Sequence, residues 1–234
     1  MKISVQRSAE RGSTEIGWLH SRHSFSFGNY YNPKRNGFGL LRVINDDIVE
    51  PSKGFRTHFH DNFEIISIVL EGALEHKDSM GSHGIIKAGE VQRISAGTGI
   101  SHSEFNHSHK EKVHFLQIWI VPKEIGIKPG YEQKKFDLKK NKLIVVVSGE
   151  KSKNLIYIHQ DACFLIGNFE KNKIIGYKLN NPKNGVFIFI IDGNVDIENN
   201  KLETGDSAEI TDAISLKFKT NERSKVLVIE VPLK

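Results

Sequence analysis

Two short stretches place metal-ligating side chains at two-residue spacing: Thr57-His58-Phe59-His60 and Ser101-His102-Ser103-Glu104. Residues two apart on a β-strand project from the same face, so His58 pairs with His60 and His102 with Glu104. Three imidazoles and one carboxylate can then converge on one ion. Such a set leaves coordination positions for water, oxygen or a substrate, as a catalytic site requires and a closed four-cysteine site does not. These N/O ligands do not choose among Fe(II), Mn, Ni, Co, Cu and Zn, and availability often decides; Fe(II) is the favoured expectation, with the others possible. Glu64 shares the parity of His58 and His60 and is either a further ligand or a group that orients one.

The rest of the chain has to position these residues, and its signals are those of strands. Apolar, β-branched or aromatic runs at Phe63 to Leu70, Val113 to Val121, Leu143 to Val147, Val186 to Ile191 and Val226 to Val231 are separated by Gly, Asn, Asp and Pro clusters. No amphipathic helix stands out. Many short strands with tight turns predict an all-β sandwich or barrel. Pro129-Gly130 and the lysine-rich Lys134 to Lys142 lie between the two apolar halves. They divide the chain into residues 1–125, a basic linker at 126–142, and residues 143–234.

A weak internal repeat supports this division. Ile65-Ile66-Ser67-Ile68-Val69-Leu70-Glu71-Gly72 is echoed by Val186-Phe187-Ile188-Phe189-Ile190-Ile191-Asp192-Gly193, and Gly89-Glu90 by Gly205-Asp206. Two similar β-barrels in tandem are expected. Carried across the repeat, His58 and His60 fall on Leu179 and Asn181, and His102 and Glu104 on Phe218 and Thr220. One divalent metal per chain, held by the first half, follows.

Composition narrows the function classes. The formal charge is +5, with 14 Lys/Arg against 13 Asp/Glu up to residue 121 and 19 against 15 beyond it. The surplus lies largely in the lysine-rich connector, so a nucleic-acid groove is not expected, and no helix-turn-helix or zinc-finger pattern is present. Histidine is far less even: ten of eleven precede residue 122. Cys163, the single cysteine, excludes an internal disulfide and a cysteine metal cluster, and its apolar neighbours predict a buried thiol. No apolar stretch approaches the roughly 18 residues of a membrane span. Met1 to Arg7 runs into charged sequence without a signal-peptide pattern. A soluble, cytoplasmic protein is expected. Among the remaining histidines, His107 and His109 are read as a solvated turn, His76 and His83 as exposed, and His20, His23 and His114 as either near the pocket mouth or capping strands. Phe25 and Phe27 are assigned to the core, with a pocket wall as the alternative.

The segments Gly54 to Gly72 and Gly97 to Asn106 carry the two motifs of a cupin barrel: His-x-His followed by Glu and Gly, then Gly, a third histidine and Asn four residues after it. The similarity goes further, through Val69 to Gly81, Ser95 to Glu104, His23-Ser24-Phe25-Ser26-Phe27-Gly28-Asn29-Tyr30-Tyr31-Asn32-Pro33 and Gln117-Ile118-Trp119-Ile120. These resemble the pirin family of bicupins over about residues 5–125, and the remainder looks like that family's divergent second cupin. Phe59 departs from the proline that many members carry between the two histidines.

The resemblance implies metal ligation by His58, His60, His102 and Glu104, with Glu64 beside the site rather than on the ion. Bacterial members of this kind are similar to quercetin 2,3-dioxygenases, which implies cleavage of a flavonol by O2 with release of CO, and makes Glu104 the residue that accepts the substrate's hydroxyl proton. The alternative is a metal-dependent, redox-sensing regulator acting through protein partners without turnover. A third reading is an isomerase or hydrolase using the ion as a Lewis acid.

Overall fold

The computed structural model describes residues 1–234 and is built almost wholly from β-strands, its single helical element being a 3-10 turn at Ser8–Glu10. Each half forms a seven-stranded sheet facing a four-stranded one. In the N-terminal half the seven strands run in the order Gly130–Lys135, Glu90–Ser95, Glu64–Glu71, Val113–Ile120, Leu41–Val49, Leu19–His23, Gly12–Glu15. Opposite them lie Gly54–His60, Ile100–Asn106, Ala73–Asp78 and His83–Lys87, all antiparallel. The C-terminal half repeats the plan.

The apolar runs are nearly continuous because the two seven-stranded sheets are covered on both faces. Their outward side chains, Ile66, Ile68, Leu116 and Ile118 from one and Phe164, Phe187, Phe189 and Ile229 from the other, share a single core of 22 buried residues between the barrels. Strands buried on both sides need not alternate apolar with polar.

The two barrel interiors differ. Inside the C-terminal barrel 18 buried apolar residues close the space, including Leu179 and Phe218, where the repeat places the counterparts of His58 and His102. Ile188 stands where the N-terminal barrel has Ser67. Thr220, the counterpart of Glu104, donates its hydroxyl to the Glu170 carbonyl at 2.7 Å, and no histidine stands at any of the four counterpart positions. The N-terminal interior is instead polar, because a row of side chains in register crosses its large sheet: His23 opposite Asn45, Asn45 opposite Gln117, Gln117 opposite Ser67, and Ser67 opposite Gln92. A one-residue slip of any of these strands would turn its member of the row out of the barrel.

The expected boundaries differ from sheet membership in two places. Gly130–Lys135, within the segment read as a basic linker, is the edge strand of the N-terminal sheet, paired with Glu90–Ser95. A sheet edge tolerates lysine, which discourages further pairing, so Lys134 and Lys135 mark an edge rather than a free connector. Lys2–Gln6 pairs with Ser207–Thr211, so the first strand of the chain completes the second half's sheet. Covering an edge satisfies its backbone groups whichever half supplies the strand.

Candidate metal centre

His58 and His60 lie on Gly54–His60, and His102 and Glu104 on the adjacent Ile100–Asn106, with His102 directly opposite His58. Between His102 and Glu104 the register shifts, Glu104 pairing with Phe55, so the His58 strand carries an extra residue at a bulge. The alternation holds: Phe59, between the two histidines, points out and is 63% exposed. Gly97, which leads into the second motif, has φ +50°, and a Cβ there would lie 2.0 Å from the Ile127 carbonyl oxygen. Only glycine fits this turn.

The three imidazoles converge. His58, His60 and His102 each offer a ring nitrogen within 4.8 Å of the others, and their ring centroids are 4.5 to 5.0 Å apart. Hydrogen bonds fix the tautomers of His58 and His102. His58 Nδ1 donates to the Arg56 carbonyl at 2.8 Å, which leaves Nε2 as an acceptor. His102 Nε2 is buried and has no hydrogen-bond partner in the protein. An orphaned buried nitrogen on a ring whose centroid lies 4.5 and 5.0 Å from two other imidazoles fits a metal ligand. Burial, reinforced by His102 and His58, pushes His60 down to about 4. Burial with His58 and His76 pushes His102 down to about 3. Both rings therefore stay neutral, with lone pairs available, through neutral and mildly acid pH.

His76, expected on the surface, is fully buried. Its Nε2 donates to Asp78 Oδ2 at 3.0 Å, and its Nδ1 lies 3.4 Å from His102 Nδ1. With Nε2 carrying the His76 proton, Nδ1 accepts from His102, so an Asp78–His76–His102 chain fixes the tautomer that frees His102 Nε2. Burial works against the Asp78 carboxylate, but donors from His76, Ser82 and Met80 hold it below its ordinary value. The His76 ring stacks on Tyr131, with centroids 4.7 Å apart and planes 15° from parallel. Two-residue spacing of His76 with Asp78 on a strand was the available sign; the charged turn around them hid it.

Glu104 is buried beside this centre. It groups with His102 and His76, rather than with all three converging histidines, because polar neighbours hold its oxygens on their side. Gln92 Nε2 donates to Oε1 at 2.6 Å, Gln117 Nε2 to Oε2 at 2.7 Å and Ser67 Oγ to Oε1 at 3.3 Å. The polar row thus serves as a cradle for one carboxylate. Ser67 and Gln117 stand out in the sequence as polar residues inside apolar runs.

Glu64 does not join the centre. Its carboxylate accepts Ser95 Oγ at 2.8 and 3.0 Å, His159 Nδ1 at 2.8 Å and the His159 amide at 3.3 Å. The one histidine of the second half is therefore bound to the first barrel.

His58 and His60 open on a cavity of about 220 Å3 that Phe27, Phe55, Trp119, His23, Asn45, Asp47, Glu104 and Gln117 also line. Outside it a broader groove of about 800 Å3 shares Phe27, Phe55, His58, His60 and Trp119. Trp119 packs its ring at 4.8 Å from His60, 5.5 Å from Phe27 and 5.3 Å from Phe63. Phe25 and Phe27 separate: Phe27 walls the cavity, while Phe25 packs on Phe187 in the core between the barrels. His23 lines the cavity, His114 pairs with Asp46 at 2.6 Å, His20 bonds Glu15 on the surface, and His83, His107 and His109 are exposed. No helix is long and apolar enough to cross a membrane.

Comparison with known proteins matches residues 4–120 to the pirin family model and residues 145–231 to the quercetinase C-terminal cupin domain. A quercetin 2,3-dioxygenase of Escherichia coli (strain K12) is 42% identical over 230 residues, covering 98% of this chain and 99% of that protein. The crystal structure of the bacterial pirin YhhW from Escherichia coli in complex with nickel(II) superposes with a TM-score of 0.94 at 40% identity, covering 99% of each chain. A quercetin 2,3-dioxygenase from Acinetobacter baumannii shares the fold at 20% identity, with a TM-score of 0.78 over 98% of this chain and 79% of that one. With its full length aligned to relatives at this identity, and both of its barrels matched, the chain belongs to the pirin family of bicupins.

Proposed function

We propose that the protein is a metal-dependent dioxygenase of the quercetin 2,3-dioxygenase type, cleaving a flavonol with O2 and releasing CO, with one divalent transition metal held by His58, His60, His102 and Glu104. The observation that carries the metal is the convergence of the His58, His60 and His102 rings, with the His102 Nε2 buried and without a partner. The relatives' names support the reaction class, and the nickel(II) complex of a 40% identical pirin supports a divalent ion. Fe(II) is the favoured ion for a redox role on this ligand set.

A bound metal would supply Lewis acidity and an open position for a hydroxyl-bearing substrate and oxygen. This chain's residues do the remainder. Glu104, held by Gln92, Gln117 and Ser67, accepts the proton of the substrate's enolic hydroxyl, as a base within reach of the reacting group. Trp119, Phe27 and Phe55 form an aromatic wall against which a flat ring system lies and from which water is excluded.

The test is elemental analysis of untagged protein followed by assay of the same sample for quercetin loss and CO release. About one ion per chain is expected, lost in His58→Ala together with turnover. Glu104→Gln should lower turnover by roughly 10²–10⁴-fold beyond any fall in metal content. Equal turnover at equal occupancy would remove Glu104 as the base. Metal without turnover would return the protein to the regulatory reading, and no metal under any reconstitution would remove the centre.

A further inference from the structure

The cavity beside His58 and His60 contains one buried acidic group that the chemistry above leaves unused. Asp47 lies on Leu41–Val49 with its side chain on the same face as Asn45, and is 3% exposed. It lines the cavity together with His58, His60 and Glu104. Its hydrogen-bonding differs from that of the other buried acids. Glu104 has three side-chain donors and Glu64 has Ser95 and His159. Glu230, in the second barrel, has Tyr177, Asn184 and the amides of Asn180 and Asn181. Asp47 has a single side-chain donor, the hydroxyl of its cross-strand neighbour Ser21, which also lies 3.4 Å from His23 Nδ1.

The nearest cations are engaged elsewhere. Arg11 Nη1 and His114 Nε2 both bond Asp46, the preceding residue, which points to the other side of the strand. The adjacent members of the polar row are closed as well, since His23 bonds Asn45 at 2.8 Å and Thr14 at 2.9 Å. A buried acid with one donor is costly, and an apolar side chain at this position would remove that cost. A carboxylate that faces a ligand cavity has its missing donors supplied when a ligand with O–H groups enters.

We propose that Asp47 is a specificity-determining residue of the substrate cavity, accepting a hydrogen bond from a phenolic hydroxyl other than the one that meets the metal centre. The ligand class is a polyhydroxylated flat aromatic, selected over the analogue that carries the enolic hydroxyl alone. This rests on the dioxygenase reading for the orientation of the substrate but not for its binding. The aromatic lining of Phe27, Phe55 and Trp119 favours a planar ring over an aliphatic polyol. A site built around a hydroxyl discriminates against the analogue lacking it, because the protein's polar group is then left unpaired.

The experiment compares quercetin with 3-hydroxyflavone on the wild type, Asp47→Leu and Asp47→Asn, reading both turnover and quenching of tryptophan fluorescence. Trp18 and Trp119 line the groove, so quenching reports binding whether or not turnover occurs. Wild type should prefer quercetin in both readouts. In Asp47→Leu the preference should shrink about 10- to 100-fold, through KM for quercetin rather than kcat. Asp47→Asn keeps the shape and one acceptor and should show a smaller loss; it carries the test should the leucine variant not fold. Preference for quercetin in binding, lost in the variants but with no turnover of either compound, upholds Asp47 and defeats the dioxygenase reading. Turnover with an unchanged preference, or equal losses for both compounds, overturns Asp47 and leaves the reaction standing. Failure of wild type to bind either flavonol overturns both.

Discussion

Replacing His76 by Leu would test whether the Asp78–His76–His102 chain tunes the metal centre from a distance. The substitution keeps approximate volume and removes the acceptor for His102 Nδ1–H, 3.4 Å away, without touching an expected ligand. Outer partners of metal-bound histidines are worth about 10- to 100-fold in affinity, or about 1.4–2.7 kcal/mol. The same change strands Asp78, which is buried with His76 and keeps only the Met80 and Ser82 amides. That loss, about 1–3 kcal/mol, weakens the metal-free and metal-bound protein alike, so the metal-induced rise in Tm isolates the effect on the ion. Linkage converts each tenfold loss of affinity into about 1.4 kcal/mol less metal-induced stabilisation at saturating ion. For a chain of this size the rise in Tm should shrink by about 3–11 °C. Direct titration of metal-free protein with Ni(II) or Fe(II) should show the matching change in Kd. Asp78→Asn preserves an acceptor for His76 Nε2–H and should fall between wild type and His76→Leu. A His76→Leu protein that binds metal within threefold of wild type, with an unchanged metal-induced Tm rise, would refute the chain as a tuning device and leave His76 a packing residue beneath Tyr131.

Two further outcomes follow from groups outside the centre. His159→Ala removes one of the donors on buried Glu64 and should cost about 1–3 kcal/mol, lowering Tm by roughly 2–12 °C with metal content unchanged; loss of the ion in Glu64→Gln would instead make that carboxylate a ligand. Burial pushes the Cys163 thiol up to about 12, so at pH 8 the thiolate fraction is on the order of 10⁻⁴. Iodoacetamide should label it only after denaturation, and rapid labelling of native protein would contradict its placement in the second barrel's wall.

Spacing alone determined the parts of this protein that depend on local geometry. His58 with His60, and His102 with Glu104, share a face because a strand has a period of two, and the apolar runs and glycine turns announced two barrels. The repeat placed Leu179 and Phe218 where an ion would need histidines, and both lie in the packed interior of the second barrel. The tertiary structure decided what depends on strands distant in sequence. The row His23, Asn45, Gln117, Ser67 and Gln92 exists only once five strands are in register, and it is this row that holds Glu104 towards the glutamines. His76 read as an exposed turn residue because nothing local shows that Tyr131, from a segment read as a linker, covers it. Lys2–Gln6 read as the start of the first barrel because pairing with Ser207–Thr211 leaves no mark on a five-residue stretch. Side-chain direction follows from the backbone's own periodicity, whereas burial and hydrogen-bond partners are set by which strands meet. The cradle, the histidine chain and the sparsely bonded acid of Asp47 are all of that second kind.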